Sequence, residues 1–118
     1  MAIFTGATTV ANKYHLARKY PGWTQDEHFV YIGRKREGMH FGNPFSSRPM
    51  TLAEIKVDSR EASIEAFRLW ISNEAYPQVE PERRQWILEN VWRLRGKTLV
   101  CFCSPQPCHG DCYCQMLD

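Results

Sequence analysis

The distribution of apolar and polar positions predicts short buried strands separated by amphipathic helices. Phe29 to Ile32 is a compact β-branched and aromatic run that ends at Gly33, which is typical of a buried strand leading into a loop. Thr98 to Phe102 has the same character. Near the N-terminus, Ala2 to Val10 is apolar and rich in threonine and suits a first strand, and Ala11 to Tyr20 can be read as a short helix.

Two further helices are predicted where apolar residues recur at helical spacing. Asp58 stands at the N-cap position of the first, with Glu61 as its capping-box partner, and this helix is expected to reach about Ala75. Pro81 fits the first turn of the second helix, and Gly96 supplies its C-terminal stop.

A last helix is expected from about Cys108 to Met116 or Leu117, after a strand and a tight loop. That order is the ligand-facing geometry of open α/β sheets. We therefore predict one α/β domain over residues 1–118. Its sheet is expected to be small, open and mostly parallel, and flanked by helices in a Rossmann-like three-layer arrangement.

Composition and charge narrow the classes of function. With 118 residues, of which 43% are apolar, the chain can bury one core. The net charge of +2 is too small to serve as an electrostatic footprint for duplex nucleic acid, so an anionic partner has to be bound locally. No apolar run approaches the roughly 18–20 residues of a membrane span, and the first residues lack a signal-peptide pattern. We expect a cytoplasmic protein without a membrane partner.

All five cysteines lie in one C-terminal motif, so they cannot link distant parts of the fold as a secreted disulfide framework does. One interpretation is a zinc site, because zinc takes four thiolate or imidazole ligands. The ligands would be Cys101, Cys103, Cys108 and either His109 or Cys112. The first pair is separated by a single residue, which is not the spacing of a zinc knuckle.

A second interpretation of the same motif is a reactive thiol. Cys108 stands at a predicted helix N-terminus beside His109, and both the helix dipole and the imidazole favour the thiolate. In an enzyme Cys108 would be the nucleophile and His109 the general acid or base, oriented by Asp111, provided that the side chains face one crevice. A third interpretation, favoured for Cys112 and Cys114, is that the cysteines are small buried apolar residues.

An Arg/Gly loop, from Tyr31 to Phe45, follows the strand that begins at Phe29. Glycines allow backbone amides to approach a ligand closely, and a guanidinium binds phosphate or carboxylate through two hydrogen bonds. Lys35 and Arg36 suit a solvated turn instead. The candidate ligand-binding residues are Gly33, Arg34, Gly42, Asn43, Pro44 and Arg68, with Arg48 and Arg60 as further candidates for an anion pocket.

The four tryptophans invite the hypothesis of stacking on nucleobases. Trp70, Trp86 and Trp92 lie on predicted helices, where packing roles are commoner. Only Trp23, in a predicted loop, is a stacking candidate.

The motifs together resemble a known family. They are Tyr31-Ile32-Gly33-Arg34, Gly42-Asn43-Pro44-Phe45, Phe67-Arg68-x-Trp70, and Gly96-Lys97-x-Leu99-x-Cys101-x-Cys103-x-Pro105-x-x-Cys108-His109-Gly110-Asp111. This pattern is similar to the bacterial and viral family catalogued as domain of unknown function 4326, over roughly Val30 to Leu117. The resemblance implies a compact α/β domain and carries no activity with it. Apolar residues are more usual in that family at the positions of Cys112 and Cys114, which weakens both as metal ligands.

We therefore expect a small domain that binds a nucleotide, a nucleoside or a related phosphorylated molecule between the Arg/Gly loop and the Cys/His loop. Hydrolysis or group transfer there would use Cys108, His109 and Asp111. One alternative is a zinc-stabilised module that binds nucleic acid or protein through its arginines. Another is an inhibitor or adaptor from a virus or mobile element, in which the family site has become a scaffold.

Overall fold

The computed structural model describes residues 7–35, 38–47, 55–102 and 106–118. Its main sheet contains three short strands, β1 (Thr9–Asn12), β2 (Phe29–Tyr31) and β5 (Thr98–Cys101). β5 lies between the other two and is parallel to both, so that Thr98 is level with Thr9 on one side and with Phe29 on the other. The carboxyl ends of all three strands therefore meet at one edge of the sheet.

A second, smaller sheet pairs β3 (Phe45–Ser46) with β4 (Ile55–Lys56), again in parallel. The described residues form four α-helices: α1 (Lys13–Lys19), α2 (Arg60–Ile71), α3 (Pro81–Asn90) and α4 (His109–Leu117). A 3₁₀ turn over Val91–Leu94 extends α3. The predicted α/β class with a small and mostly parallel sheet is confirmed.

The core forms where α2 and α4 pack together beside the main sheet. Phe67, Trp70 and Tyr113 are fully buried there, with Leu99 from the central strand against them. The indole nitrogen of Trp70 donates to the carbonyl of Val79 at 2.7 Å, so this buried polar atom is satisfied. No helix in the described ranges is both long and apolar enough to cross a membrane.

Several predicted boundaries are wrong by a few residues. The first strand begins at Thr9 and continues directly into α1, because the side chain of Asn12 caps that helix by accepting from the amides of Tyr14 and His15. The predicted strand started at Ala2, and residues 2–6 lie outside the described ranges. The two-residue strands β3 and β4 were not predicted, since so short a pair leaves no alternating pattern.

The ends of the middle helices also differ from the prediction. The N-cap of α2 is Ser59 and not Asp58, because the Ser59 hydroxyl accepts from the amide of Ala62 at 3.0 Å. α2 ends at Ile71, before the predicted Ala75. Trp92 lies in the 3₁₀ turn and is 68% exposed, so its predicted packing role is wrong. The prediction assumed α-helical spacing, which ends where the chain changes to 3₁₀ geometry at Val91.

Candidate functional site

Chain segments from three elements converge at the carboxyl edge of the main sheet. β1 ends at Asn12, β2 at Tyr31 and β5 at Cys101. The side-chain amide of Asn12 donates to the carbonyl of Phe102 at 3.1 Å and links two of these strand ends. Open α/β sheets bind ligands outside this edge, because loops and helix N-termini meet there.

The Arg/Gly loop and the Cys/His motif are in direct contact at this edge. Nε2 of His109 lies 2.8 Å from the carbonyl oxygen of Ile32 and 3.2 Å from that of Phe41. One turn later in α4, the hydroxyl of Tyr113 donates to the same Phe41 carbonyl at 2.8 Å. Because carbonyls only accept, Nε2 carries a proton. α4 thus fixes the backbone of the loop at two points.

His109 is enclosed by aromatic rings and is 8% exposed. Phe67 and Tyr113 meet it edge to face, with ring centroids 5.2 and 5.7 Å away. Burial lowers the pKa of His109 to about 4, although the carbonyls of Ile32 and Phe41 act in the opposite direction. Since Nε2 donates within the fold, the predicted general acid or base function would have to use Nδ1.

Cys108 is the N-cap residue of α4. Its sulfur accepts from the amide of Gly110 at 3.3 Å, and its own amide donates to Oδ2 of Asp111 at 3.0 Å. This reciprocal arrangement is a capping box. Asp111 was predicted to orient His109, and in the structure its carboxylate is engaged by the helix cap. Cys108 and His109 contact different partners.

The sulfur atoms of Cys101 and Cys108 lie 3.4 Å apart, and both residues are 3% exposed. Cys112 is also buried, and burial raises its pKa to about 11, in keeping with the expected apolar role. Within the described ranges no three His, Cys, Asp or Glu residues cluster as metal ligands do. Cys103 and Pro105, which belong to the predicted motif, lie outside those ranges.

Arg34 belongs to an ion-pair network beneath the Arg/Gly loop. Its two terminal nitrogens donate to Glu80 at 3.2 and 3.4 Å. Arg83 donates from Nε to Glu80 at 2.7 Å, and from Nη1 to the carbonyls of His40 and Gly42 at 3.0 and 2.6 Å. Burial by itself raises the pKa of Glu80, but the guanidiniums of Arg83 and Arg34 lower it to about 2. The network therefore joins the loop to α3 through a charged carboxylate.

At two glycine positions of the Arg/Gly loop, the neighbouring atoms leave no room for a side chain. A Cβ at Gly42 would stand 2.8 Å from the backbone nitrogen of Arg34, a separation that real Cβ atoms do not reach. A Cβ at Gly33 would overlap the phenol ring of Tyr31. Gly42 is therefore required by a backbone contact inside the protein, whatever the ligand, whereas a side chain at position 33 would require the Tyr31 ring to move.

Asn43 and Pro44 connect the loop to α2 and β3. The side-chain amide of Asn43 donates to the hydroxyl of Ser63 at 2.8 Å, and its oxygen accepts from the amide of Phe45 at 2.9 Å. Pro44 is fully buried. Both of these predicted ligand-binding residues make scaffolding contacts in the structure.

Arg68, the remaining predicted anion contact, lies on an exposed face of α2. Its guanidinium pairs with Glu65 at 2.7 Å and with Glu74 at 3.5 Å, and 47% of its side chain is exposed. Nη1 of Arg60 is buried and has no hydrogen-bond partner among the described residues. Arg36 and Arg48 lie outside the described ranges.

A cavity of about 460 Å³ lies beside β2, and we call it the edge cavity. This volume is within the range of roughly 300–1,000 Å³ that small-molecule sites occupy. β2 is the outer strand of the main sheet, and its three residues, Phe29, Val30 and Tyr31, all line the cavity. Its aromatic lining consists of Trp23, Phe29, Tyr31, Phe41 and Trp86.

Two lysines contribute positive charge to the edge cavity. Lys13, at the start of α1, and Lys35, in the Arg/Gly loop, both line it. Nζ of Lys13 lies 5.4 Å from the centre of the Tyr31 ring and 5.0 Å from that of Phe102. These cation–π contacts hold the ammonium group near the strand ends.

His40 also lines the edge cavity, and it is 5% exposed. Its Nδ1 accepts from the amide of Gly42 at 3.1 Å. Burial lowers the pKa of His40 to about 4, and the positive charges of Arg83 and Arg34 act in the same direction. The ring is therefore neutral and carries its proton on Nε2. None of the described residues accepts a hydrogen bond from Nε2.

Among the residues of the edge cavity, the sequence predicted a ligand contact only for Trp23, and it assigned Trp86 to packing and Lys35 to a solvated turn. Lys13, His40 and Trp86 come from separate elements, and no spacing along the chain relates them. Glu80 and Arg83 were missed as well, although a Glu and an Arg three residues apart at a helix start are a recognisable ion-pair signal.

The fold and the site define a small α/β domain in which a cysteine-capped helix holds an arginine- and glycine-rich loop beside the carboxyl edge of a parallel sheet. The sequence profile of the family described as Domain of unknown function (DUF4326) matches residues 15–118, and the chain belongs to this family. The resemblance seen in the sequence is thereby confirmed. No curated protein and no solved structure matches the chain.

Proposed function

We propose that the edge cavity binds a nucleotide or a closely related phosphorylated nucleoside. The observation that carries the proposal is that aromatic rings and two lysines line a single cavity of about 460 Å³. Aromatic side chains stack on nucleobases with a gain of about 1–3 kcal/mol per base, and lysine is a common phosphate ligand.

The lining of the edge cavity offers contacts for both parts of such a ligand. Phe41 and Trp86 pack together with ring centroids 4.9 Å apart and offer apolar surface for a base. Lys13 is held over Tyr31 near the carboxyl ends of the strands, where an open α/β sheet favours an anion. We assign the phosphate to Lys13 and Lys35.

This assignment moves the anion contact away from the arginines favoured by the sequence. The guanidinium of Arg34 is paired with Glu80, and that of Arg68 with Glu65 and Glu74. The proposal concerns binding and assigns no reaction, because the described contacts of Cys108, His109 and Asp111 lie within the fold.

Isothermal titration calorimetry with nucleoside monophosphates tests the proposal. We expect saturable binding, and about tenfold weaker binding of the corresponding nucleoside, because removal of the phosphate removes the lysine contacts. Lys13→Gln should weaken nucleotide binding to a similar extent. Lys19→Gln is the matched control, since Lys19 is an exposed residue at the end of the same helix. Absence of binding, or equal effects of the two substitutions, would contradict the proposal.

A zinc-stabilised module is a second candidate function. The short distance between the sulfur atoms of Cys101 and Cys108 favours it. Two thiolates on a tetrahedral zinc ion, with Zn–S bonds of about 2.3 Å, lie roughly 3.8 Å apart. The observed separation of 3.4 Å is close to that value. Cys103 is the predicted third ligand, and His109 would have to use Nδ1 because Nε2 is engaged by carbonyls.

Elemental analysis of the purified, untagged protein tests this second candidate. It predicts about one zinc ion per chain, loss of the zinc in Cys101→Ser, and a lower thermal midpoint after chelation. Cys114→Ser is the matched control, because Cys114 is half-buried on α4, beyond the helix cap. A metal-free protein with an unchanged midpoint in chelator would contradict the zinc candidate and leave the nucleotide proposal intact.

A further inference from the structure

The imidazole of His40 is a buried hydrogen-bonding group in the wall of the edge cavity. Its Nδ1 is occupied by the amide of Gly42, at 3.1 Å. The backbone carbonyl of His40 accepts from Arg83 at 3.0 Å, so main chain and ring are both fixed. With 5% of the residue exposed, the ring has little freedom to turn.

The hydrogen-bonding character of the free side of the ring follows from these contacts. Because Nδ1 accepts, the proton of the neutral ring is on Nε2, and Nε2 is a donor. No described residue supplies an acceptor for it. A ligand atom opposite this donor has to be an acceptor, since two donors that face each other both lose their hydrogen bonds.

We propose that Nε2 of His40 donates to an oxo group of the bound nucleobase, so that the edge cavity selects oxo-bearing bases over their amino-bearing counterparts. This inference rests on the proposed nucleotide function and names the ligand class for the same cavity. His40 lines the edge cavity together with Phe41 and Trp86, the two rings assigned to the base. Hypoxanthine, guanine, uracil and thymine carry such an oxo group, whereas adenine and cytosine carry an amino group at the corresponding position.

Two matched ligand pairs test the selection by calorimetry at pH 7.5. Inosine and adenosine monophosphate share the purine frame and the phosphate, as uridine and cytidine monophosphate share the pyrimidine frame. We expect the oxo-bearing member of at least one pair to bind about tenfold more tightly, which is the usual scale of one hydrogen bond. Equal affinities within both pairs would overturn the inference.

Two substitutions of His40 separate a role in selection from a role in folding. In His40→Asn the side-chain oxygen replaces Nδ1 as the acceptor for Gly42, and the donor at Nε2 is lost. This variant should bind the oxo-bearing ligand about tenfold more weakly while its affinity for the amino-bearing ligand changes by less than about twofold. In His40→Gln the terminal amide can present either a donor or an acceptor. Both ligands should therefore still bind, and the ratio of their affinities should fall towards one.

The outcomes distinguish this inference from the proposed function. If none of the four nucleotides binds, the proposed nucleotide function is wrong, and the proposed selection of oxo-bearing bases is wrong as well. If nucleotides bind and depend on Lys13, but the Asn and Gln variants keep the preference of the unmodified protein, only the role of His40 is wrong. Thermal unfolding of each variant identifies one that fails to fold, and the affinity ratios of the other variant then decide.

Discussion

Two side chains on one face of α4, His109 and Tyr113, hold the same loop carbonyl. Both contact the oxygen of Phe41, and His109 also contacts that of Ile32. We predict that His109→Ala lowers the free energy of unfolding by about 2–4 kcal/mol, since it removes a packed ring and the donor to the Ile32 carbonyl, while the Phe41 carbonyl keeps its bond from Tyr113. Tyr113→Phe, which removes only one hydroxyl, should cost about 1 kcal/mol. Urea denaturation measures both, and equal losses would contradict this account of His109.

The buried histidines also make stability depend on pH. In the unfolded chain a histidine takes up a proton near pH 6.5, whereas folded His40 and His109 do so only near pH 4. The unfolded state therefore binds more protons between these values, and stability falls as the pH drops from about 6.5 to about 4. Urea midpoints across this range measure the slope. His109→Gln should make it shallower, and an unchanged slope would show that His109 is not buried neutral.

Glycine is required at position 42 by the backbone that crosses it. In Gly42→Ala the new methyl group would meet the Arg34 backbone at 2.8 Å, and a backbone has little freedom to move aside. We predict a loss of about 2–3 kcal/mol in unfolding free energy, comparable with other overpacked sites. Gly22→Ala is the control, because its Cβ would lie 3.5 Å from the Tyr20 ring, an ordinary contact. Chemical denaturation that finds the two variants equally stable would contradict this packing.

At the scale of elements, the start of α3 positions the Arg/Gly loop. Glu80 is the N-cap of α3 and has a left-handed backbone with φ of 36°, which is unfavourable for glutamate. Its contacts with Arg34 and Arg83 offset that cost. We predict that Glu80→Gln lowers the unfolding free energy by about 1–3 kcal/mol, because two guanidiniums lose their counter-charge in a largely buried place.

The same substitution should also change the pH dependence. The folded pKa of Glu80 is held at about 2, so its contribution to stability is present above pH 4.5 and is lost as the pH falls towards 2. Glu82→Gln, an exposed neighbour in the first turn of α3, is the matched control. Thermal unfolding near pH 7 and near pH 3 compares the variants. A constant difference between Glu80→Gln and the unmodified protein at both pH values would contradict the network.

Local signals predicted the elements well where capping and periodicity agree. Strand β2 and helix α4 lie within a residue or so of their predicted positions, whereas the capping role of Cys108 was not predicted. Asp58 and Ser59 are adjacent and both favour an N-cap, so the sequence does not decide between them. The end of α3 was misplaced because the change to 3₁₀ geometry at Val91 has no compositional signal.

At the scale of the whole molecule, the sequence motifs and the edge cavity have different roles: the motifs make structural contacts, and the cavity is the proposed binding site. The motif residues Gly42, Asn43 and His109 form contacts that hold the Arg/Gly loop to the helices, and Cys108 caps α4. The lysines and aromatic rings of the cavity are brought together from four separate parts of the chain. Sequence spacing identified the first group and not the second, because periodicity reports only neighbours within one element.

The most direct test of the nucleotide proposal is a titration of isotope-labelled protein with inosine monophosphate, followed by NMR at the four tryptophan indole signals. Trp23 and Trp86 line the edge cavity, whereas the indole of Trp70 is hydrogen-bonded to Val79 in the core, and Trp92 lines an adjoining cavity that shares Phe29 and Phe41 with it. We predict saturable shifts for Trp23 and Trp86, with Trp70 unchanged. Saturable shifts confined to Trp70 or Trp92, or no shifts at millimolar ligand, would contradict a nucleotide site in the edge cavity.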